Sequence, residues 1–365
     1  MMAPPSACVL QCGLGRATLE LPNAGDYMPT PSPSASIEPV AHKHVARRLV
    51  VLGTGGTIAG RARAAGDNVG YTAGEVGVAD LLAGVSAMAG RLPALAGWSL
   101  EAEQVAQIDS KDMGPVVWRA LLERVAHHLA RPDVAGVVVT HGTDTLEETA
   151  WLLQAVLSPA KPVVLACAMR PATALVPDGP QNLMDALCVA VEPGARGVVA
   201  VCVGKVHQAR HVQKVHTYRL DAFDSGDAGP LGCVEEGRLR QWQAWPEAAI
   251  PSRPLASVLA ATAWPRVELV TSHAGADGAV VRALLAASHM GTPLRGLVVA
   301  GTGNGTLHAD LQDALEQARA AGVVVRRGTR CAYGQVVPGP HDAWPDTGGL
   351  SPVKARLSLV LDLMD

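Results

Sequence analysis

Four apolar residues, Leu49-Val50-Val51-Leu52, run without a break into Gly53-Thr54-Gly55-Gly56-Thr57-Ile58-Ala59-Gly60. The apolar run predicts a short buried strand. The glycines predict a sharp turn with one hydroxyl, Thr57, at its end. A strand feeding such a turn delivers that hydroxyl to the carboxyl edge of a sheet, where open α/β sheets bind ligands.

The turn admits few chemistries. A dinucleotide fingerprint counted from Gly53 and Gly55 needs a third glycine at position 58, which is Ile58. A phosphate-binding loop needs a lysine before its terminal hydroxyl, and this loop has none. A hydroxyl nucleophile displayed on a backbone free to adopt positive φ remains open. So does an ordinary strand-to-helix turn.

A second stretch has the same grammar. Gly136-Val137-Val138-Val139 leads into Thr140-His141-Gly142-Thr143-Asp144-Thr145 and then a helical pattern over Leu146–Leu157. Asp144, with Glu147 three residues on, reads as a helix start. If the two strands are parallel, Thr143 and Asp144 also lie beside Thr57. Threonine is a weak nucleophile and needs a base or a polarising network.

The segments Thr54–Gly60 and Thr140–Ala150 resemble the two signature motifs of the bacterial-type L-asparaginase/glutaminase family. The similarity continues through Ala168-Met169-Arg170-Pro171, Asp178-Gly179-Pro180 and Ala300–Gly305, covering roughly residues 48 to 365. The resemblance implies an α/β fold of two domains, a larger N-terminal parallel-sheet domain and a smaller C-terminal flavodoxin- or Rossmann-like one. It implies hydrolysis of L-asparagine to L-aspartate and ammonia, with glutaminase side activity, and it implies no cofactor. Thr57 takes the nucleophile's place on the Gly56–Thr57 turn. Tyr71 matches a lid tyrosine that closes over it, and Thr143, Asp144 and Lys214 match a proton-relay group. Lys214 is aligned through its Arg-x-x-x-Lys spacing from Arg210.

Substrate-binding positions carry over in the same way. Ser110 matches a serine that holds the α-carboxylate, with Gly56, Thr143 and Asp144 beside it. The next position, usually Gln or Glu against the α-ammonium, is Lys111. A lysine there repels a substrate ammonium unless Asp109 or Asp112 holds its charge. Thr306 matches a residue that reaches a neighbouring subunit's site, which implies a homotetramer built as a dimer of dimers. The family also supplies a glutamate from the smaller domain. Residues 334–342 contain none, and His341 or Asp342 stands closest. The same fold also serves as a subunit of tRNA-dependent amidotransferases, and a non-catalytic amide sensor would keep it too.

Along the chain, residues 1–44 are rich in Pro and Ser and read as irregular or disordered. Residues 45–242 read as the N-terminal domain, 243–263 as a proline-broken linker, and 264–365 as the C-terminal domain. Residues 61–75 read as a mobile loop. Trp118, Leu121, Leu122, Val125 and Leu129 mark a helix, with His127 and His128 as surface residues near its end. His207, His211 and His216 fit no compact zinc spacing, so no metal is expected.

Composition excludes several classes. A net charge of -3 argues against a nucleic-acid partner. No apolar run approaches membrane length, so no span is expected. The seven scattered cysteines suit a reducing compartment. With no secretory leader in view, the reading is a cytoplasmic enzyme acting on a small molecule.

Overall fold

A computed structural model describes residues 16–20, 47–64, 66–247, 251–288, 291–340 and 343–364. Strands β1 (Arg16–Glu20) and β2 (Arg48–Gly55) are followed by a hairpin of β3 (Arg61–Ala62) and β4 (Tyr71–Thr72). Then come α1 (Val78–Ala89), β5 (Ser99–Ile108), α2 (Pro115–Leu129), β6 (Val134–Thr140), α3 (Leu146–Leu157), β7 (Val163–Ala166), α4 (Gly179–Ala190) and β8 (Val198–Cys202). Short strands β9 (Lys205–Gln208), β10 (Gln213–Lys214), β11 (Phe223–Asp224), β12 (Gly232–Glu235) and β13 (Arg238–Gln241) complete this part. The rest is α5 (Leu255–Ala260), β14 (Arg266–Thr271), α6 (Ala279–Ala287), β15 (Leu294–Gly301), α7 (Ala309–Ala320), β16 (Val324–Thr329) and α8 (Pro352–Asp362).

Nine strands form the large sheet, in the order β1-β5-β2-β6-β7-β8-β9-β12-β13. The pairings from β5 through β8 are parallel, and the flanking ones are antiparallel. The expected α/β class therefore holds, with a parallel centre in a mixed sheet. The smaller sheet, β14-β15-β16, is wholly parallel.

Strand β2 shows why the parallel centre forms. Leu49, Val50, Val51 and Leu52 are all fully buried, as expected for a strand covered on both faces. Leu49 and Val51 join a cluster with Val78 and Leu82 of α1 and Leu183 of α4, while Val50 and Leu52 join Leu121 and Leu122 of α2. Burying each such side chain contributes ~1.5–3 kcal/mol.

Register sets the site. Gly53 pairs with Thr140 of β6, and Gly55 pairs with Ile108 of β5. The carboxyl ends of β5, β2 and β6 thus lie at one level. The loops carrying Ser110, Thr57 and Thr143 leave the sheet side by side.

Several expectations are corrected. Within residues 1–44, Arg16–Glu20 is a strand antiparallel to β5, giving that strand's outer edge a backbone partner. The rest of 1–44 lies outside the described residues. The proline-rich stretch after 243 contains α5, whose Val258 is fully buried, and Trp264 stacks on Trp118 with ring centroids 5.7 Å apart. His128 is not a surface residue but fully buried, whereas His127 is exposed. His128 stands on the Leu121–Val125 face of α2 by helical period. Its Nε2 donates to Glu103 at 2.8 Å while Nδ1 accepts from Arg131 at 3.0 Å. Burial lowers its pKa despite the carboxylate, which fits a neutral ring with the proton on Nε2.

Candidate active site

Three loops meet backbone to backbone. Gly55 and Gly56 hold φ of 101° and 78°, left-handed values that favour glycine. A Cβ at Gly56 would stand 2.2 Å from the Cα of Gly142, and a Cβ at Gly142 would stand 2.4 Å from Ser110 Oγ. No side chain fits at either position without separating the loops. Thr54 ties the first two together by donating from Oγ1 to the Thr140 carbonyl at 2.9 Å. The amide of Gly56 bonds the Ile108 carbonyl at 2.8 Å.

Thr57, 7% exposed, begins a short 3-10 turn. Its Oγ1 lies 2.7 Å from the Tyr71 hydroxyl. Tyr71 is carried in by the β3–β4 hairpin, whose base is pinned by bonds from Gly74 N to the Gly56 carbonyl and from Ala62 N to Thr173 Oγ1. Burial raises the Tyr71 phenol's pKa, and Asp109 and Asp144 act in the same direction against the Thr57 bond. The phenol is therefore uncharged at neutral pH.

On the neighbouring loop, Lys214 Nζ donates to Thr143 Oγ1 at 2.8 Å and to Asp144 Oδ1 at 2.5 Å. Lys214 reaches them from β10, paired with β11 through Phe223, the chain's single phenylalanine. Ser110 is buried, and its Oγ accepts from the Asp144 amide at 3.2 Å. The structure thus gathers Gly56, Thr57, Tyr71, Ser110, Thr143, Asp144 and Lys214 at one sheet edge.

Two anticipated residues stand apart. Lys111 is exposed, with Nζ 2.8 Å from Asp112 and 3.2 Å from Asp109. The bonds to Asp112 and then Asp109 raise its pKa. Among the described residues Thr306 bonds only Thr302, closing its own turn after β15. The position raised as a glutamate substitute, His341–Asp342, lies outside the described residues.

The helix-start reading of Asp144 does not survive as a cap. Helix α3 begins at Leu146 with no side-chain cap. Asp144 is engaged by Lys214, Thr145 donates to the Ser110 carbonyl at 2.7 Å, and Glu147 accepts from the Lys214 amide at 3.4 Å. Two of the three histidines have partners for their side chains among the described residues. His207 bonds Ser225, and His216 accepts from the amides of Tyr218 and Arg219. The Asp178 motif fastens a loop, its carboxylate accepting from the amides of Met169 and Arg170 at 2.9 and 3.0 Å.

Two residues lie behind Lys214: Glu147, read from sequence only as part of a helix start, and Lys354 of α8, fully buried, which sequence reasoning passed over. Lys354 sits three residues into a helix whose other inward positions are apolar, and nothing local marks it as different.

The family model described as "Asparaginase, N-terminal" matches residues 48–246, and that for the "Glutaminase/Asparaginase C-terminal domain" matches 266–364. L-asparaginase 2 of Escherichia coli (strain K12) is 35% identical over 325 residues, 86% of this chain and 88% of that protein. The glutaminase-asparaginase of Pseudomonas fluorescens biotype A is 33% identical over 90% of each chain. The crystal structure of a probable cytoplasmic L-asparaginase from Campylobacter jejuni superposes with a TM-score of 0.77 at 33% identity, covering 87% of this chain and 95% of that one.

Proposed function

This chain belongs to the asparaginase/glutaminase family, and from that premise we propose that it hydrolyses the side-chain amide of L-asparagine to L-aspartate and ammonia. The observation that carries the reading is the meeting of two hydroxyl groups with separate partners at one sheet edge, Thr57 with Tyr71 and Thr143 with Lys214 and Asp144.

Thr57 Oγ1 attacks the amide carbon, forming an ester as the C–N bond breaks. The threonine proton passes through the Tyr71 hydroxyl or the Thr143–Lys214 pair to the departing nitrogen, which leaves as ammonia. Water then attacks the ester; in this reading its proton is relayed through the Thr143 hydroxyl, held by Lys214 and Asp144, to Thr57 Oγ1 as the ester C–O bond breaks and Thr57 is released. Tyr71, uncharged, relays a proton rather than serving as a standing anionic base. In this reading Ser110, whose Oγ accepts from the Asp144 amide, holds the α-carboxylate by donating its hydroxyl proton. L-glutamine is a second substrate in this reading, supported by the glutaminase-asparaginase relative.

We assign the enzyme to the cytoplasm, following its structural neighbour's title. We assign it a homotetrameric assembly in which the Thr306 turn completes a neighbour's site.

Ammonia release from asparagine and glutamine tests the reading. Thr57→Ala should fold normally and lose about 10³-fold or more in kcat. Near-normal turnover in that variant would overturn the assignment of the nucleophile.

A further inference from the structure

The segment that delivers Lys214 is held from the other domain. Lys354, in the first turn of α8, is completely buried. Its Nζ donates to the Arg210 carbonyl at 3.0 Å and to the Val212 carbonyl at 2.5 Å, four and two residues before Lys214. Ser351, just ahead of the same helix, donates to Glu147 Oε2 at 3.3 Å. The other oxygen of Glu147 accepts from the amide of Lys214 itself. Arg210 reaches back to the Gly348 carbonyl and lies over the Trp151 ring. Trp151 in turn donates to Ser358 of α8 at 2.8 Å. Residues 348–358 thus grip residues 210–214 through backbone carbonyls, a backbone amide and a guanidinium.

This arrangement is costly to build. A buried ammonium is tolerated only when hydrogen-bonded and paired. Here two carbonyls accept its protons, and Glu147 is the nearby carboxylate. An apolar residue would fill the space between α8 and α3 without that cost, but it would not bind the carbonyls of an irregular segment.

We propose that Lys354, with Ser351 and Glu147, positions Lys214 against Thr143 and Asp144, so that the C-terminal helix sets the geometry of proton transfer in the same chain's site. Lys354 touches no substrate; it acts through the backbone of residues 210–214. The kinetic half of the proposal rests on the amidohydrolase reading, because only then does Lys214 take part in turnover.

The test uses the full-length protein and the variants Lys354→Met and Ser351→Ala. A misplacement of about 1 Å at a catalytic group costs about 10²-fold. Lys354→Met should therefore lower kcat on asparagine by roughly 10–100-fold, with KM within about threefold, since Ser110 is untouched. Lys354→Met also strands Glu147, so it can unfold the protein. Ser351→Ala removes a single bond and should fold normally, lowering kcat by roughly threefold to tenfold with the same split. A readout independent of turnover is the NMR signal of the Lys214 ε-carbon in lysine-labelled protein, identified by its loss in Lys214→Met. That signal should move in Ser351→Ala while those of Lys161 and Lys205 stay in place. A KM rise at constant kcat, or an unmoved Lys214 signal, would overturn the proposal. Wild-type protein that releases no ammonia would overturn the amidohydrolase reading instead, and the Lys214 signal would still decide the positioning.

Discussion

Lys111 stands where the resemblance places a glutamine or glutamate against the substrate's ammonium. The sequence left its effect conditional on two neighbouring carboxylates. The structure meets that condition, with Asp112 and Asp109 both within salt-bridge distance and the ammonium in solvent. Exposed pairs of this kind are weak and screened, so the effect is one of direction rather than stability. Lys111→Gln is therefore expected to leave kcat unchanged and KM for asparagine within about twofold of wild type. A several-fold fall in KM would show that the lysine does repel the substrate. At this scale the motifs were legible, because Thr57, Thr143 and Asp144 sit in contiguous signatures. Lys354 and Glu147 were not, because their roles depend on contacts 142 and 67 residues away in sequence.

Among the elements, strands β2 and β6 and helices α2 and α3 could be read from their periodicity. Helix α8 went unread, though it packs between helix α3 and the three strands of the smaller sheet. His128 was misjudged because a histidine near a helix end suits the surface by type, while its helical phase placed it on the buried face. Helix α4 carries a similar burden. Asp185 is 4% exposed, and burial pushes its pKa up to about 6 against a bond from Gln181. The native state thus holds this proton more tightly than the unfolded chain does, whose ordinary value is 3.8. The ionised form costs stability, fully above pH about 6 and not at all below the unfolded value. Asp185→Asn should stabilise the protein at pH 8 by roughly 1–3 kcal/mol, raising Tm by a few degrees. The gain should shrink as pH falls toward 4. A gain independent of pH would refute this account of Asp185.

At the scale of the molecule, the two halves share a core. Val267, Val298 and Leu357 belong to the same buried cluster as Val50 and Leu121. The composition shift near residue 243 suggested a linker, but the tertiary burial of Val258 and the Trp118–Trp264 stack are invisible to local pattern. The proposed tetramer belongs to this scale too. Sedimentation should find a species of four chains, closed and symmetric, and a fully active monomer would contradict it.

The central claim is that Thr57 carries the acyl group, and intact-protein and peptide mass spectrometry after rapid acid quench with asparagine tests it most directly. The account predicts a transient aspartyl ester on the peptide containing Thr57, absent from Thr57→Ala and accumulating when Lys214 is replaced by methionine, as water attack slows. An adduct on the peptide containing Thr143, or turnover without any adduct on Thr57, would contradict it.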